Sequence, residues 1–251
     1  MESWQLSAKA LSALAAAALG AYFLRAASGI GSALILVPLG AIAVGTLDAI
    51  VLSAFLDLIS GAIILGLDRR SPVEANWRVL ALAMAVGVVA GSLGLRSIPV
   101  SYLGKVLGVI TVAAAAWFLA GRPGTRVQEQ PRGDRPRPWA GMAVCLVAGI
   151  LGGVSGISGP PLAIYFGSRM AKGTFRSVVT RLFMVEAVLR VVFYLATGLV
   201  GWQMVWLLAV SVPAMVLGTF VGNRVFLKLN ERWFGALIGL VLLAAGLSLI
   251  L

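Results

Sequence analysis

The chain has 251 residues, 60% of them hydrophobic and 12% charged, with a mean hydropathy of +1.00; soluble domains carry about 25% charged residues, so this composition excludes an ordinary aqueous globule and makes lipid the main solvent. Twenty basic against nine acidic residues give a net charge of +11, and because the arginines lie between apolar runs, the excess reads as topogenic and not as a nucleic-acid surface. Histidine is absent and Cys145 is the only cysteine, which excludes an internal disulfide, leaves haem, zinc and thiol-relay chemistry without their usual ligands, and predicts no cofactor and no metal.

Apolar stretches of spanning or near-spanning length cover 6–24, 30–44, 49–67, 77–95, 103–120, 139–153, 160–168, 177–199, 203–222 and 233–251. They predict an all-α polytopic membrane protein forming one membrane domain over 1–251. A helix needs about 20 residues to cross about 30 Å of hydrocarbon, and three stretches, 30–44, 139–153 and 160–168, fall short. The first stretch resembles a secretory signal but is read as a retained helix, because a later segment repeats it. Residues 121–138, GRPGTRVQEQPRGDRPRP, are rich in Pro, Gly and Arg and make a polar cytoplasmic linker between repeat 1 (1–120) and repeat 2 (139–251). Trp4, Trp77, Trp139, Trp202 and Trp233 fall at element ends, where amphipathic rings anchor depth. Asn76, Asn223 and Asn230 read as caps at loop edges.

The two halves match in order. SGIGSALILVPLG at 28–40 aligns with SGISGPPLAIYFG at 155–167, GSLGLR at 91–96 roughly with GTFVGN at 218–223, and YLGKVLGVI at 102–110 with WFGALIGLV at 233–241. Loop charge orients them. The loop 45–48 has no basic residue and its counterpart 169–176 has three; 68–78 has three arginines and 198–203 none; the linker has five arginines while the C-terminus ends uncharged. Since Lys and Arg stay cytoplasmic, this pattern predicts two inverted repeats of about five helical elements each, with 96–105 dissenting through Arg96 and Lys105. Inversion with five elements requires the first two of each half to begin and end on the same side, as two full crossings or as a broken, re-entrant pair. The short 139–153 and 160–168 favour re-entry in the second half, and the first half leaves both options open.

Two tips interrupt apolar helices: Ser28, Gly29 and Gly31 in the first half, and Ser155, Gly156, Ser158, Gly159, Pro160 and Pro161 in the second. Irregular backbone persists at membrane depth only where protein buries it or water and ligand satisfy it, and helix N-termini after such breaks attract anions. These residues are the candidate anion site, with serine hydroxyls as added donors; close helix packing through Gly and Ser is the competing explanation. Arg25 is either an oxyanion clamp or a topogenic charge at the cytoplasmic face. Asp57 and Glu186 fall near the middle of corresponding helices and are the candidates for H⁺ or Na⁺ coupling. Glu186, Arg190 and Arg181 also form a candidate structural ion-pair group, Glu186 and Arg190 being four residues apart. Asp57 has no partner on its own helix, which leaves ion coupling or a cross-helix pair with Arg25 or Arg181.

RAASGIGSALILVPLG at 25–40 and GGVSGISGPPLAIYFGSR at 152–169 resemble the two signatures of the TauE/SafE family, also called the sulfite exporter or TSUP family, and the likeness spans nearly the whole chain. Where typical members have a run of glycines, this chain has Gly31, Ser32 and Ala33. The resemblance implies movement of small anions, chiefly sulfite, sulfoacetate and other organosulfonates, across the bacterial inner membrane. The residues and the resemblance together predict a secondary carrier whose partners are a small anion, membrane lipid and H⁺ or Na⁺. A passive anion channel and a non-transporting scaffold subunit are the alternatives, and no enzyme chemistry is expected.

Overall fold

The structure is a computed structural model that describes residues 8–29, 31–67, 76–97, 138–166, 169, 170 and 172–225, with isolated positions between 102 and 119 and at 243 and 247. The expected elements 103–120 and 233–251, and the linker apart from Pro138, lie outside these stretches. Among the described residues there are eight helices and no strands: α1 (Ala8–Ser28), α2 (Ala33–Val44), α3 (Thr46–Leu67), α4 (Trp77–Ser97), α5 (Pro138–Ser155), α6 (Gly159–Phe166), α7 (Lys172–Ala196) and α8 (Gln203–Val225). Four are long and apolar enough to cross a membrane: Lys9–Ala27, Thr46–Leu67, Trp77–Leu95 and Gln203–Arg224. The chain is thus a multi-pass membrane protein. Helix α7 has 25 residues, also a spanning length, but carries Lys172, Arg176, Arg181, Glu186 and Arg190 and is the polar helix of the set.

Helices α1 and α2 form a hairpin. Helix α1 is 21 residues long, about 31 Å, and α2 turns back along it, so that Gly40 of α2 stands beside Leu14 of α1. Helices α5 and α6 repeat the arrangement, Gly141 of α5 facing Tyr165 and Phe166 of α6. The outer helices pair across the two sequence halves, α1 with α8 and α4 with α5, and glycine makes both pairs tight. A Cβ on Gly87 or Gly91 would overlap the carbonyl oxygen of Leu146 or Ile150, and one on Gly218 or Gly222 that of Leu19 or Phe23. The same contact therefore recurs 131 residues on for the glycines and 127 residues on for the carbonyls. Small residues spaced by four let helix backbones approach in this way.

Two apolar cores result. One gathers α1, α2, α3, the C-terminal part of α7 and α8, around Leu14, Leu36, Leu52, Tyr194 and Leu207; the other gathers α4, α5, α6 and the N-terminal part of α7, around Met84, Cys145, Leu162, Phe166 and Leu182. The first core thus takes α8 and the end of α7, and the second takes α4, from the other half of the sequence.

Several boundaries depart from the sequence reading. Helix α1 continues past Leu24 through Arg25 to Ser28, because Ala26 and Ala27 are good helix formers and the break waits for Gly29. Helix α5 reaches Ser155 and has 18 residues, about 27 Å, so it is longer than the stretch 139–153 suggested. Helix α7 starts at Lys172, five residues early, since its first turn is polar but helical. The close contacts pair Gly87 and Gly91 with Gly218 and Gly222, one helical turn away from the alignment of Gly91 with Gly218. Asn223 is no loop-edge cap: it lies in the last turns of α8 and accepts a hydrogen bond from Arg176 Nη2 at 2.5 Å.

Replacing Gly87 or Gly218 by Ala is expected to cost about 1–3 kcal/mol, as an added carbon does in a filled core, and to do so equally at the two positions. Gly94→Ala, with nothing within 4 Å of the new carbon, is expected to be neutral or to add up to about 1 kcal/mol through helix propensity. Thermal unfolding of the three purified variants in detergent checks this; equal effects at all three positions would refute the packing.

Candidate functional site

Both hairpins break in the same way. The N–H of Gly29 donates to Arg25 O at 2.8 Å, and the N–H of Gly156 donates to Gly152 O at 2.7 Å. The two glycines then turn left-handed, with φ of 76° and 78°, a conformation that only glycine adopts without strain. Chain direction reverses over the next few residues, and α2 starts after Ser32 while α6 starts at Gly159. The tips abut: a Cβ on Gly31 would lie 3.8 Å from the backbone nitrogen of Gly159 and 3.5 Å from the Phe183 ring.

At the first tip, Asp57, the twelfth of the 22 residues of α3, collects donors from α1 and from the tip itself. Its Oδ1 accepts from Tyr22 Oη at 2.8 Å and from Arg25 Nη1 at 2.5 Å, and it is also bonded by Ser32 Oγ. Arg25 Nη1 further donates to Ser32 Oγ at 3.2 Å, and the guanidinium lies 5.9 Å from the Tyr22 ring centre and 5.4 Å from that of Phe183. Arg25 is 3% and Asp57 7% exposed. The charges are thus out of water and compensated by charge-assisted bonds, without which burial would cost several kcal/mol per ion.

The second tip has its own acid. Ser158 Oγ donates to Glu186 Oε2 at 2.5 Å, and Glu186 lies so close over α5 that a Cβ on Gly152 would overlap Oε1. Arg190, one turn further along α7 and completely buried, reaches into the first half. Its Nη2 donates to Ile50 O at 2.8 Å and Ser53 Oγ at 2.9 Å, and its Nε donates to Tyr194 Oη at 3.2 Å. Its Nη1 stands 3.8 Å from both Asp57 Oδ2 and Glu186 Oε1. Gly156 makes room for this guanidinium, since a Cβ there would lie 2.8 Å from each of its Nη atoms.

The structure therefore brings together Arg25, Gly29, Gly31, Asp57, Gly156, Ser158, Gly159, Glu186 and Arg190. Arg25 is a buried partner of Asp57. Ser28 ends α1, and its side chain lies outside the described residues. Ser155 differs from the expectation of a free donor: its Oγ donates to Leu151 O at 2.7 Å and accepts from the Ile157 N–H at 3.1 Å, so it shapes the tip. Pro160 and Pro161 offer no N–H, which leaves the start of α6 poorer in donors than an ordinary helix N-terminus. Arg181 is not in the ion-pair group. Five residues from Glu186 it points about 140° around the helix, donates to Ser177 O at 3.2 Å and to Ser177 Oγ, and lies over the Trp77 ring.

Tyr22, Ser53 and Tyr194 were not foreseen as partners. Their signal was available: each is three or four residues from Arg25, Asp57 or Arg190 and so shares its helix face. The groove of about 660 Å³ between α1 and α2, lined by Lys9, Ala13, Ala17, Leu39 and Ala43, is a separate feature, since Lys9 and Arg25 are about 24 Å apart along α1.

Chemically, the site offers cationic donors held away from water. Arg25 Nη2 and Arg190 Nη1 make no hydrogen bond among the described residues, and Glu186 Oε1 accepts none. Unused buried donors cost about 1–3 kcal/mol each, so they fit a place where a transient ligand completes them.

The family profile described as Sulfite exporter TauE/SafE matches residues 14–249. No curated protein and no solved structure matches the chain.

Gly29→Ala is expected to cost about 1–2 kcal/mol, the penalty of a left-handed residue with a Cβ, because its nearest side-chain atom would be 3.5 Å away. Gly156→Ala carries the same penalty and also displaces Arg190, so it should unfold at a lower temperature than Gly29→Ala in detergent. The reverse order would contradict the seating of Arg190 against the second tip.

Proposed function

We propose that this chain, which belongs to the sulfite exporter TauE/SafE family, is a secondary transporter carrying small anions of the sulfite and organosulfonate class across the bacterial inner membrane. One observation carries the reading: two buried guanidiniums with donor capacity to spare stand where two broken hairpins meet, at mid-length of the apolar helix α3. An anion placed there gains charge-assisted hydrogen bonds in a low-dielectric surrounding, which strengthens each of them. Backbone N–H groups of Ser158 and Gly159 supplement the arginines, the Ser158 hydroxyl being held by Glu186. The residues assigned to the substrate are Arg25, Gly29, Gly31, Ser158 and Gly159, with Ser28, Ser155, Gly156, Pro160 and Pro161 shaping the tips.

We further infer an architecture of two inverted repeats, 1–120 and 139–251, joined by the cytoplasmic linker 121–138. Its support is the alternation of basic loops, the matched left-handed glycines at 29 and 156, and the glycine contacts that recur at fixed offsets. Alternating access then moves the packed helices about a fixed central site. Coupling to H⁺ or Na⁺ runs through Asp57 or Glu186, the acids buried beside the arginines.

Proteoliposomes test this. Wild type is expected to accumulate sulfite or a short sulfonate under an ion gradient, whereas Asp57→Asn loses accumulation. A protein that only equilibrates substrate across the bilayer is a passive channel, and one that moves none is a scaffold; either result would replace the carrier reading.

A further inference from the structure

The four central charges, Arg25 and Arg190 against Asp57 and Glu186, sum to zero when all are ionised. A buried site tolerates an unbalanced charge poorly, and an arriving anion would make the sum −1. Something must leave, or a cation must come with it. Asp57 is placed to resolve this because it holds the cations the anion needs: Oδ1 takes Arg25 Nη1 at 2.5 Å and Oδ2 faces Arg190 Nη1 at 3.8 Å. It stands where an oxyanion held by two guanidiniums would stand.

We propose that Asp57 is a built-in competitor of the transported anion: ionised, its carboxylate engages the guanidiniums of Arg25 and Arg190; protonated, it releases them, so one proton and one anion load together. The balance is simple. A carboxylate, a proton and a monoanion become a carboxylic acid and an anion bound between two arginines, and the charge of the cluster stays at zero. This inference rests on the anion-carrier reading and narrows its coupling ion to H⁺.

The surroundings of Asp57 favour a proton over Na⁺. From α1 it faces Tyr22 and Arg25; from α2 it meets Ser32, which does not titrate; from α7 it faces Arg190 and, beyond it, Glu186, with Tyr194 on Arg190. Helix α8 meets α3 nearby through Thr219, bonded to Ser60, and adds no titratable group there among the described residues. Everything on Oδ1 is a donor and both nearest charges are positive. A sodium ion needs several oxygen acceptors in its shell, while a proton needs only the carboxylate. Glu186 is the weaker competitor: among the described residues it pairs with Arg190 at 3.8 Å, and Arg25 is bonded to Asp57.

The test uses the full chain in detergent and methanesulfonate, which stays a monoanion at every working pH, with sulfite and acetate as further probes. Calorimetric titration of wild type should give affinity rising as pH falls, by up to about tenfold per pH unit, and uptake of about one proton per anion, read from buffers of different ionisation heat. Asp57→Asn, neutral and of the same shape, should bind more tightly than wild type at neutral pH, with no pH slope and no proton uptake. Binding by wild type without proton uptake, or binding that requires Na⁺, overturns the proposal even if the variant does not fold. So does a folded Asp57→Asn that binds more weakly or keeps the slope, or a slope that vanishes in Glu186→Gln instead. If no probe anion binds any variant at any pH, the anion-carrier reading itself fails, which sets that outcome apart from the others.

Discussion

Two arginines and two carboxylates, none more than 7% exposed, stand among helices otherwise built to be dissolved in lipid. Each such ion costs several kcal/mol to remove from water, so the interior has to return that energy locally, and the surrounding architecture follows from this need. Tyr22, Ser32, Ser53 and Tyr194 supply hydroxyls, Ile50 supplies a carbonyl, and helices α1, α3 and α7 are held in a fixed relation by bonds that meet on Asp57 and Arg190. Glycine does the opposite work. At Gly152 and Gly156 the absence of a side chain is what admits Glu186 and Arg190.

The distribution of these residues is reciprocal. Offsets of 127 and 129 relate Arg25 to Gly152 and Gly61 to Arg190, just as 129 relates Asp57 to Glu186. Each half therefore holds one acid, one arginine and one glycine, with arginine and glycine exchanged. A Cβ at Gly61 would lie 3.5 Å from Arg25 Nη2, an ordinary contact, whereas one at Gly152 would overlap Glu186 Oε1. The exchange puts the two guanidiniums on different helices, α1 and α7, which is what the proposed clamping of an anion from two sides requires.

Much of this was legible in the sequence because it depends on local chemistry. The long apolar runs, the glycine-broken tips, and single acids at mid-helix are all expensive features in a membrane and therefore informative. What was hidden depends on distance along the chain. Arg190 and Ile50 are 140 residues apart, and nothing in a helical periodicity tells which far helix a guanidinium will reach. Arg181 and Arg190 look alike in sequence, five and four residues from Glu186; only the angle around α7 separates a side chain bonded to its own preceding turn from one in the central cluster. The pairing of Gly91 with Gly218 failed for a related reason. In a helix with glycines four apart, a slip of one turn leaves the pattern unchanged, and the carbonyls of α1 and α5 decide the register.

The two apolar cores do not follow the two sequence halves, and this constrains how any opening must occur. Helix α8 belongs with α1 and α4 with α5, through backbone contacts too close to slide without separating glycine from carbonyl. The first core is built around α1, α2, α3 and α8, with Leu95 of α4 and Ile157 of the second tip, and the second around α4, α5 and α6. Helix α7 is the exception: its N-terminal part packs in the second core, while Val191 and Tyr194 pack in the first. Glu186 and Arg190 sit where α7 passes from one core to the other, with Glu186 bonded to the tip of the second and Arg190 to α3 of the first. A displacement of one core against the other must then act on the two 3.8 Å gaps between Arg190 Nη1 and the carboxylates of Asp57 and Glu186. Those gaps exceed hydrogen-bond length, so Nη1 is bonded to neither acid while Nη2 and Nε hold Arg190 to α3 and to Tyr194. The seam between the two cores and the charge cluster are one place, so in the proposed carrier a displacement along the seam and the occupancy of the site are linked through Arg190.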